Sequence, residues 1–231
     1  MRHWFEPIAS HLGSAYLRYS FTKGTEQEVA FLVDVLGLQP GQRVLDVGCG
    51  PGRHAHALSG RGLHVVGIDI SEAFVRLAAG KGGSFVRGDA GALPVADGSF
   101  DAVISLCQGG FGLALDGEGE VLAAMVRALR PGGVAAVSAF SSYYQVRFLG
   151  ERDRFDAGRG VNHERTVVKD PEGRDAEFDL WTSCFTPREL RLLVEAGVGI
   201  VEELWSVAPG DYARRPPDLD HPEYLVVIRR P

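Results

Sequence analysis

The stretch Val44-Leu45-Asp46-Val47-Gly48-Cys49-Gly50-Pro51-Gly52 decides how the rest of this 231-residue chain reads. Val44 to Val47 is a short, mostly apolar run of strand character, and His54 to Arg61 beyond the glycines has helical spacing. A glycine-rich turn between a strand and a helix brings backbone close to a ligand, because only glycine lacks the Cβ that would collide. Here the spacing is Gly48-x-Gly50-x-Gly52, not the G-x-G-x-x-G of dinucleotide binders. Asp46 also stands inside the strand, ahead of the first glycine. A carboxylate there serves a pyrophosphate poorly, whereas a ligand carrying an ammonium and a sulfonium tolerates or favours it.

Outward from this turn, short apolar runs alternate with helical stretches. Val65-Val66-Gly67-Ile68, Phe85-Val86-Arg87, Asp101 to Ser105 and Val134 to Phe140 read as strands two to five. Helices are expected from about Glu72 to Ala79 and from Glu118 to Leu129, the second stopped by Arg130-Pro131-Gly132-Gly133. This rhythm predicts parallel βαβ units in an open, doubly wound α/β sheet. Ahead of it, Thr25-Glu26-Gln27-Glu28 fits a capping box opening a helix, and Ile8 to Tyr19 fits a second, short helix. Beyond the fifth strand, His163 to Val168 and Ala176 to Phe185 flank the turn sequence Lys169-Asp170-Pro171-Glu172-Gly173, which predicts an inserted antiparallel hairpin. Thr186-Pro187 starts a helix, and Ile200 to Val207 and Tyr224 to Arg229 read as closing strands. The expected organisation is one domain: a helical cap over 1–41, a cofactor-binding core over 42–140, the hairpin and acceptor region over 141–185, and closing elements over 186–231.

Asp69, in Gly67-Ile68-Asp69-Ile70-Ser71, falls about twenty residues after the glycine loop, where an acid accepts hydrogen bonds from ribose hydroxyls. Its structural alternative is a helix N-cap. Arg87-Gly88-Asp89-Ala90 follows the third strand, and Leu93-Pro94-Val95-Ala96-Asp97-Gly98-Ser99-Phe100-Asp101 leads into the fourth. With the glycine loop, these motifs over about Gln42 to Phe140 resemble the class I, Rossmann-like S-adenosylmethionine-dependent methyltransferases, small-molecule type. The resemblance implies a seven-stranded, mostly parallel sheet whose last strand is antiparallel. It implies S-adenosylmethionine as cofactor, with Asp89 near the adenine amino group and the Ala90 amide facing a ring nitrogen. It also implies that Asp46, Gly48, Gly50, Gly52, Asp69, Ile70, Asp89, Ala90, Leu106 and Cys107 form the cofactor site.

Methyl transfer asks the protein chiefly for alignment and exclusion of water, so a general base is optional. In the family, the segment after the fourth strand lines the methyl-donor end; here it is Leu106-Cys107-Gln108-Gly109-Gly110-Phe111-Gly112. It lacks the Asn/Asp-Pro-Pro-Tyr/Phe motif used on planar amino groups of nucleobases and glutamine. Gln108, His163, Tyr143 and Tyr19 are the candidate catalytic side chains, each with an ordinary loop or surface role as its alternative. Of His54 and His56, at the start of the helix after the glycines, one is expected to face solvent.

The formal net charge of -6 argues against a broad nucleic-acid footprint, which needs a basic excess. No apolar run is long enough to span a bilayer, and Met1 to Pro7 lacks a signal-peptide pattern. Cys49, Cys107 and Cys184 are far apart and show no zinc or disulfide spacing, so no metal and a reducing cytoplasm are expected. The expected partner is a small-molecule methyl acceptor, with the hairpin available as a homodimer contact. An RNA or protein methyltransferase, a non-catalytic cofactor-binding regulator and, more distantly, a dehydrogenase are the competing readings.

Overall fold

The computed structural model describes residues 3–107, 109–196 and 199–231. Along the chain run α1 (Glu6–Leu12), α2 (Thr25–Val35), β1 (Arg43–Val47), α3 (Arg53–Ser59), β2 (His64–Asp69), α4 (Glu72–Ala79), β3 (Ser84–Arg87), β4 (Phe100–Ser105), α5 (Glu118–Ala128) and β5 (Leu129–Ser141). Then come α6 (Ser142–Arg147), β6 (Asp153–Asp156), β7 (Val161–Lys169), β8 (Asp175–Phe185), α7 (Pro187–Glu195), β9 (Ile200–Val207) and β10 (Glu223–Arg229). The central sheet has the order β3-β2-β1-β4-β5-β10-β9. β1 to β5 are mutually parallel, and β10 lies antiparallel between β5 and β9.

That is the doubly wound sheet with an antiparallel last strand that the sequence motifs led us to expect. The central sheet has the expected seven strands, and with the insertion the described residues hold ten. The insertion is a three-stranded antiparallel meander, β6-β7-β8, because Asp153–Asp156 pairs with β7. Its root joins the main sheet where Phe140 and Ser141 pair with Cys184 and Phe185. β6 offers only a charged four-residue stretch, Asp153-Arg154-Phe155-Asp156, and its strand form comes from the partner.

Alternation along the central strands sends side chains to two cores. Leu45, Val47, Val103 and Val137 face α5 and α7, while Val44, Ala102, Ile104 and Ala136 face α2 and α3. A third, smaller core joins the N-terminal segment to the insertion: Ile8, Ala9 and Leu12 of α1 pack on Phe74 of α4 and Val168 of β7. The expected helix over Ile8 to Tyr19 ends at Leu12, and the chain continues in tighter helical turns over Gly13–Arg18 and Ser20–Thr22.

The capping box expected at Thr25 does not form. Gly24 is the N-cap of α2, and the Thr25 hydroxyl instead donates to the carbonyl of Thr22. Glu28 is fully buried and committed elsewhere. Its Oε2 accepts from Arg53 Nη1 at 2.5 Å and from His54 Nε2 at 2.7 Å, and its Oε1 from the Gly210 amide at 2.9 Å. A carboxylate can only accept, so His54 carries its hydrogen on Nε2. Burial lowers the His54 imidazole from the ordinary histidine value, against the raising effect of Glu28. Burial raises the Glu28 carboxyl, but the bonds to His54 and Arg53 outweigh it and leave the group below its ordinary value. Of the two histidines, His54 is thus the buried one, and His56 is half-buried beside Phe85. Gln27 adds a two-way clasp, donating to the Tyr212 carbonyl at 2.7 Å and accepting from its amide at 2.9 Å.

One residue of α2 thus fastens α3 and the loop before β10. Removing one partner of a buried pair strands the other, at a cost of about 3–5 kcal/mol. Glu28→Gln is therefore expected to lower the unfolding free energy by about that amount in urea titrations. A loss below about 1 kcal/mol, the scale of a surface pair, would contradict the burial argument.

Candidate active site

The first bend of the glycine loop is set by backbone crowding. Gly48 has φ +70°, and a Cβ there would sit 2.1 Å from the Gly110 amide nitrogen. The glycine loop and the loop after β4 therefore touch backbone to backbone. Gly50, at φ +54°, instead faces open space, its nearest neighbour being Tyr16 Cε1 at 3.9 Å from the Cβ position. Gly52 is away from that opening, and a Cβ there would meet Ala78 at 2.9 Å.

Asp69, the last residue of β2, organises this loop. Oδ2 accepts from the Gly50 amide and Oδ1 from the Ser71 amide, each at 2.8 Å. The N-cap of α4 is Ser71, so Asp69 is free of the capping role. Burial pushes its carboxyl up to about 6 despite the two amide bonds. One lone pair on each oxygen stays available on the wall of a cavity of about 630 Å³. Ile70 lies on the same wall, as do Asp89 and Ala90. Asp89 Oδ1 accepts from the Gly91 amide at 2.9 Å, which fixes the carboxylate at the mouth of β3.

Asp46 has a different setting. It points to the α2–α3 side of β1, accepts from the Ala55 amide, and keeps Oδ2 without a partner among the described residues. Burial pushes it up to about 7, with Arg53 pulling the other way. Asp46, Gly52 and Leu106 do not reach the cavity wall, whereas Gly48, Gly50 and Cys107 do.

The cavity has a roof. Phe5 just ahead of α1, Leu12 at its end and Tyr16 and Tyr19 in the turns after it line the cavity, and the meander contributes Val168 and Leu180. Glu6 latches this segment to the end of β3 through Arg87 at 2.8 Å. Tyr16 is half-buried, and desolvation holds its phenol well above the ordinary value. Carboxylates on the walls come from Asp69, Asp89, Glu120 and Glu223, and among the described residues no lysine or arginine lines the cavity. Asp69, Asp89 and the open face of Gly50 fit a cationic nucleoside of the S-adenosylmethionine kind: acceptors for ribose and adenine donors, and room for close approach.

Cys107 follows β4 in a left-handed conformation, φ +50°, that costs a non-glycine residue about 1–2 kcal/mol. Its amide donates to Ser138 Oγ and Arg53 Nη2 donates to its sulfur, at 2.8 and 2.7 Å. Burial pushes its thiol above the ordinary range. Glu28, His54 and Cys107 place possible metal-ligand atoms within 4.8 Å of one another. Arg53 donates to both Glu28 and Cys107, however, so a cation already stands among them.

The candidate catalytic side chains divide. Tyr19 lines the cavity, its hydroxyl accepting from the Lys169 amide at 3.4 Å. His163 stacks on Trp181 with centroids 5.0 Å apart and meets Asp179 at 2.7 Å, away from the cavity wall. Tyr143 is exposed on α6. Gln108 lies outside the described residues. Sequence reasoning missed Glu223, a buried carboxyl on the cavity wall whose Oε2 has no hydrogen-bond partner among the described residues. Burial and the nearby Glu28 carboxylate raise it to about 7, against a hydrogen bond from Ser138 and the pull of Arg53. Its only sequence signal is a glutamate, after Pro222, just ahead of an apolar strand.

Residues 44–133 match the methyltransferase domain family. The chain is 42% identical over 113 residues to a demethylmenaquinone methyltransferase of Renibacterium salmoninarum, covering 48% of this chain and 46% of that protein. It is 36% identical over 127 residues to a sterol 24-C-methyltransferase of Gibberella zeae, covering 51% and 33%. These matches reach less than half the length of either relative. The CcbJ methyltransferase from Streptomyces caelestis has the same fold, with a TM-score of 0.81 at 18% identity over 100% of this chain and 99% of that one. The glycine loop, the placement of Asp69 and Asp89 and these likenesses agree: residues 44–133 form a methyltransferase domain, and the whole chain has the fold of solved methyltransferases.

Proposed function

We propose that the protein transfers the methyl group of S-adenosylmethionine to a small, largely apolar acceptor held under the roof of the cavity. The observation that carries this reading is the continuity of that cavity. Gly50, Asp69 and Asp89 wall one part of it, and Phe140, Pro209 and Pro222 wall another. When bound, S-adenosylmethionine supplies an electrophilic methyl carbon on a positively charged sulfur.

Everything else is work for side chains of the chain itself. Asp69 accepts from ribose hydroxyls, Gly50 allows the close approach, and Asp89 with the Ala90 amide reads the adenine edge. Charge-assisted hydrogen bonds of the Asp69 kind contribute about 1.5–3 kcal/mol each. Tyr16, Phe74 and the α1 side chains exclude water. The acceptor is held in line by shape, and such alignment lowers a bimolecular barrier by about 7–11 kcal/mol.

The two relatives are named for demethylmenaquinone and a sterol, in keeping with a small-molecule acceptor here. A macromolecular acceptor is less well supported. The roof leaves a chamber for a small molecule, and the net charge of -6 disfavours RNA.

S-adenosylhomocysteine, the demethylated product, is expected to raise the thermal midpoint, since a ligand that binds only the native state stabilises it by mass action. A shift with NAD and none with S-adenosylhomocysteine would overturn the proposal. Asp69→Asn keeps one acceptor oxygen for the Gly50 or the Ser71 amide, replaces the other with an NH2 donor and loses the charge. Calorimetric titration of this variant should show S-adenosylhomocysteine binding about 10–150-fold more weakly, with the fold retained. An unchanged affinity would remove Asp69 from the cofactor site.

A further inference from the structure

β10 runs antiparallel to β5, so its first residue comes to the carboxyl edge of the parallel strands. Glu223 pairs in register with Phe140 at the end of β5 and with Val207 at the end of β9. From β2, which carries Asp69, the path to β10 crosses β1, β4 and β5. Four strand intervals at about 4.8 Å each put Glu223 about 19 Å from that end of the sheet. The carboxylates for the adenosyl group and Glu223 therefore occupy opposite parts of one cavity.

Glu223 is 3% exposed, and its environment leaves it underpaired. Ser138 hydrogen-bonds to the carboxyl, but Oε2 has no partner among the described residues. The neighbouring wall residues Pro209 and Pro222 have no amide hydrogen to offer. Arg53 donates to Thr25, Glu28 and Cys107. The other titratable groups felt around Glu223 are Glu28, Cys107, Tyr16 and Tyr212, none of them a cation. A buried carboxylate without a countercharge is costly, and an incoming cation relieves that cost.

We infer that Glu223 is the acceptor-binding carboxylate of this site, that the acceptor is a small apolar amine, and that Oε2 takes the proton the nitrogen must lose. This rests on the methyltransferase reading above. The amine enters as its ammonium ion and pairs with the Glu223 carboxylate. One proton moves from nitrogen to Oε2 and frees the lone pair. The lone pair forms the nitrogen–carbon bond as the carbon–sulfur bond breaks, with that electron pair left on sulfur. The product leaves as a methylated ammonium ion, and Glu223 gives its proton to solvent. Charge and atoms balance, with one proton released per turnover.

The test uses binding to protein saturated with S-adenosylhomocysteine, above neutral pH. Phenethylamine, tryptamine and cyclohexylmethylamine are each compared with the alcohol of the same skeleton. Wild type should bind at least one amine about tenfold more tightly than its alcohol, and E223Q should lose that preference while binding S-adenosylhomocysteine as wild type does. E223Q without ligand should melt about 2–4 °C higher, since an unpaired buried charge has been removed; a structural glutamate would give a lower midpoint. No amine preference in wild type, or a preference surviving in E223Q, overturns the inference without touching the methyltransferase reading. Weakened S-adenosylhomocysteine binding in E223Q overturns it by assigning Glu223 to the cofactor. Failure of wild type to bind S-adenosylhomocysteine overturns both. If E223Q does not fold, the wild-type comparison still decides: amine preference should grow as pH rises through about 7, where the carboxyl ionises, and a flat profile contradicts the role.

Discussion

The structure depends on the buried carboxylate of Glu28. It draws together Arg53 and His54 from α3, directly after the glycine loop, and the Gly210 amide from the loop that leads to β10. Through Arg53 it also reaches Cys107, whose left-handed backbone turns the chain after β4. Three walls of the cavity are therefore referenced to one charge on α2. Charges buried this deeply hold only when each lone pair and donor is spoken for, which here they largely are.

Against that paired centre, the unpaired groups stand out. Asp46, Asp69 and Glu223 are all buried carboxyls that burial raises above the ordinary carboxylate range, and each has different bonding partners. Asp69 is satisfied by two amides and still faces the cavity. Asp46 is sealed beneath α3, where it steadies the helix that follows the loop. Glu223 faces the cavity with one oxygen unanswered among the described residues. The same physics, desolvation of a charge, thus acts on three carboxyls in different settings: two on the cavity wall and one behind it.

The wall proposed for the adenosyl group was legible in the sequence because its constraints are local. Gly48 and Gly50 need positive φ and close approach, and Asp69 and Asp89 follow strands at recognisable spacing, so the motif and the geometry coincide. The rest depends on contacts between distant segments. Thr25 and Glu28 match a capping box letter for letter, yet Arg53 and His54 compete for the glutamate and win. His163, which the sequence places ahead of the hairpin turn, finds Trp181 and Asp179 across the meander. Glu223 reads as a strand-edge residue, and only the antiparallel insertion of β10 beside β5 carries it to the cavity.

The central claim is that one roofed cavity holds the methyl donor at β2–β3 and leaves the part beside β5 and β10 for the acceptor. A crystal structure of the protein with S-adenosylhomocysteine tests this most directly. The account predicts ribose hydroxyls bonded to Asp69, the adenine edge at Asp89 and Ala90, and open space between the sulfur and Glu223. A ligand bound away from Asp69, or side chains filling the space before Glu223, would contradict it.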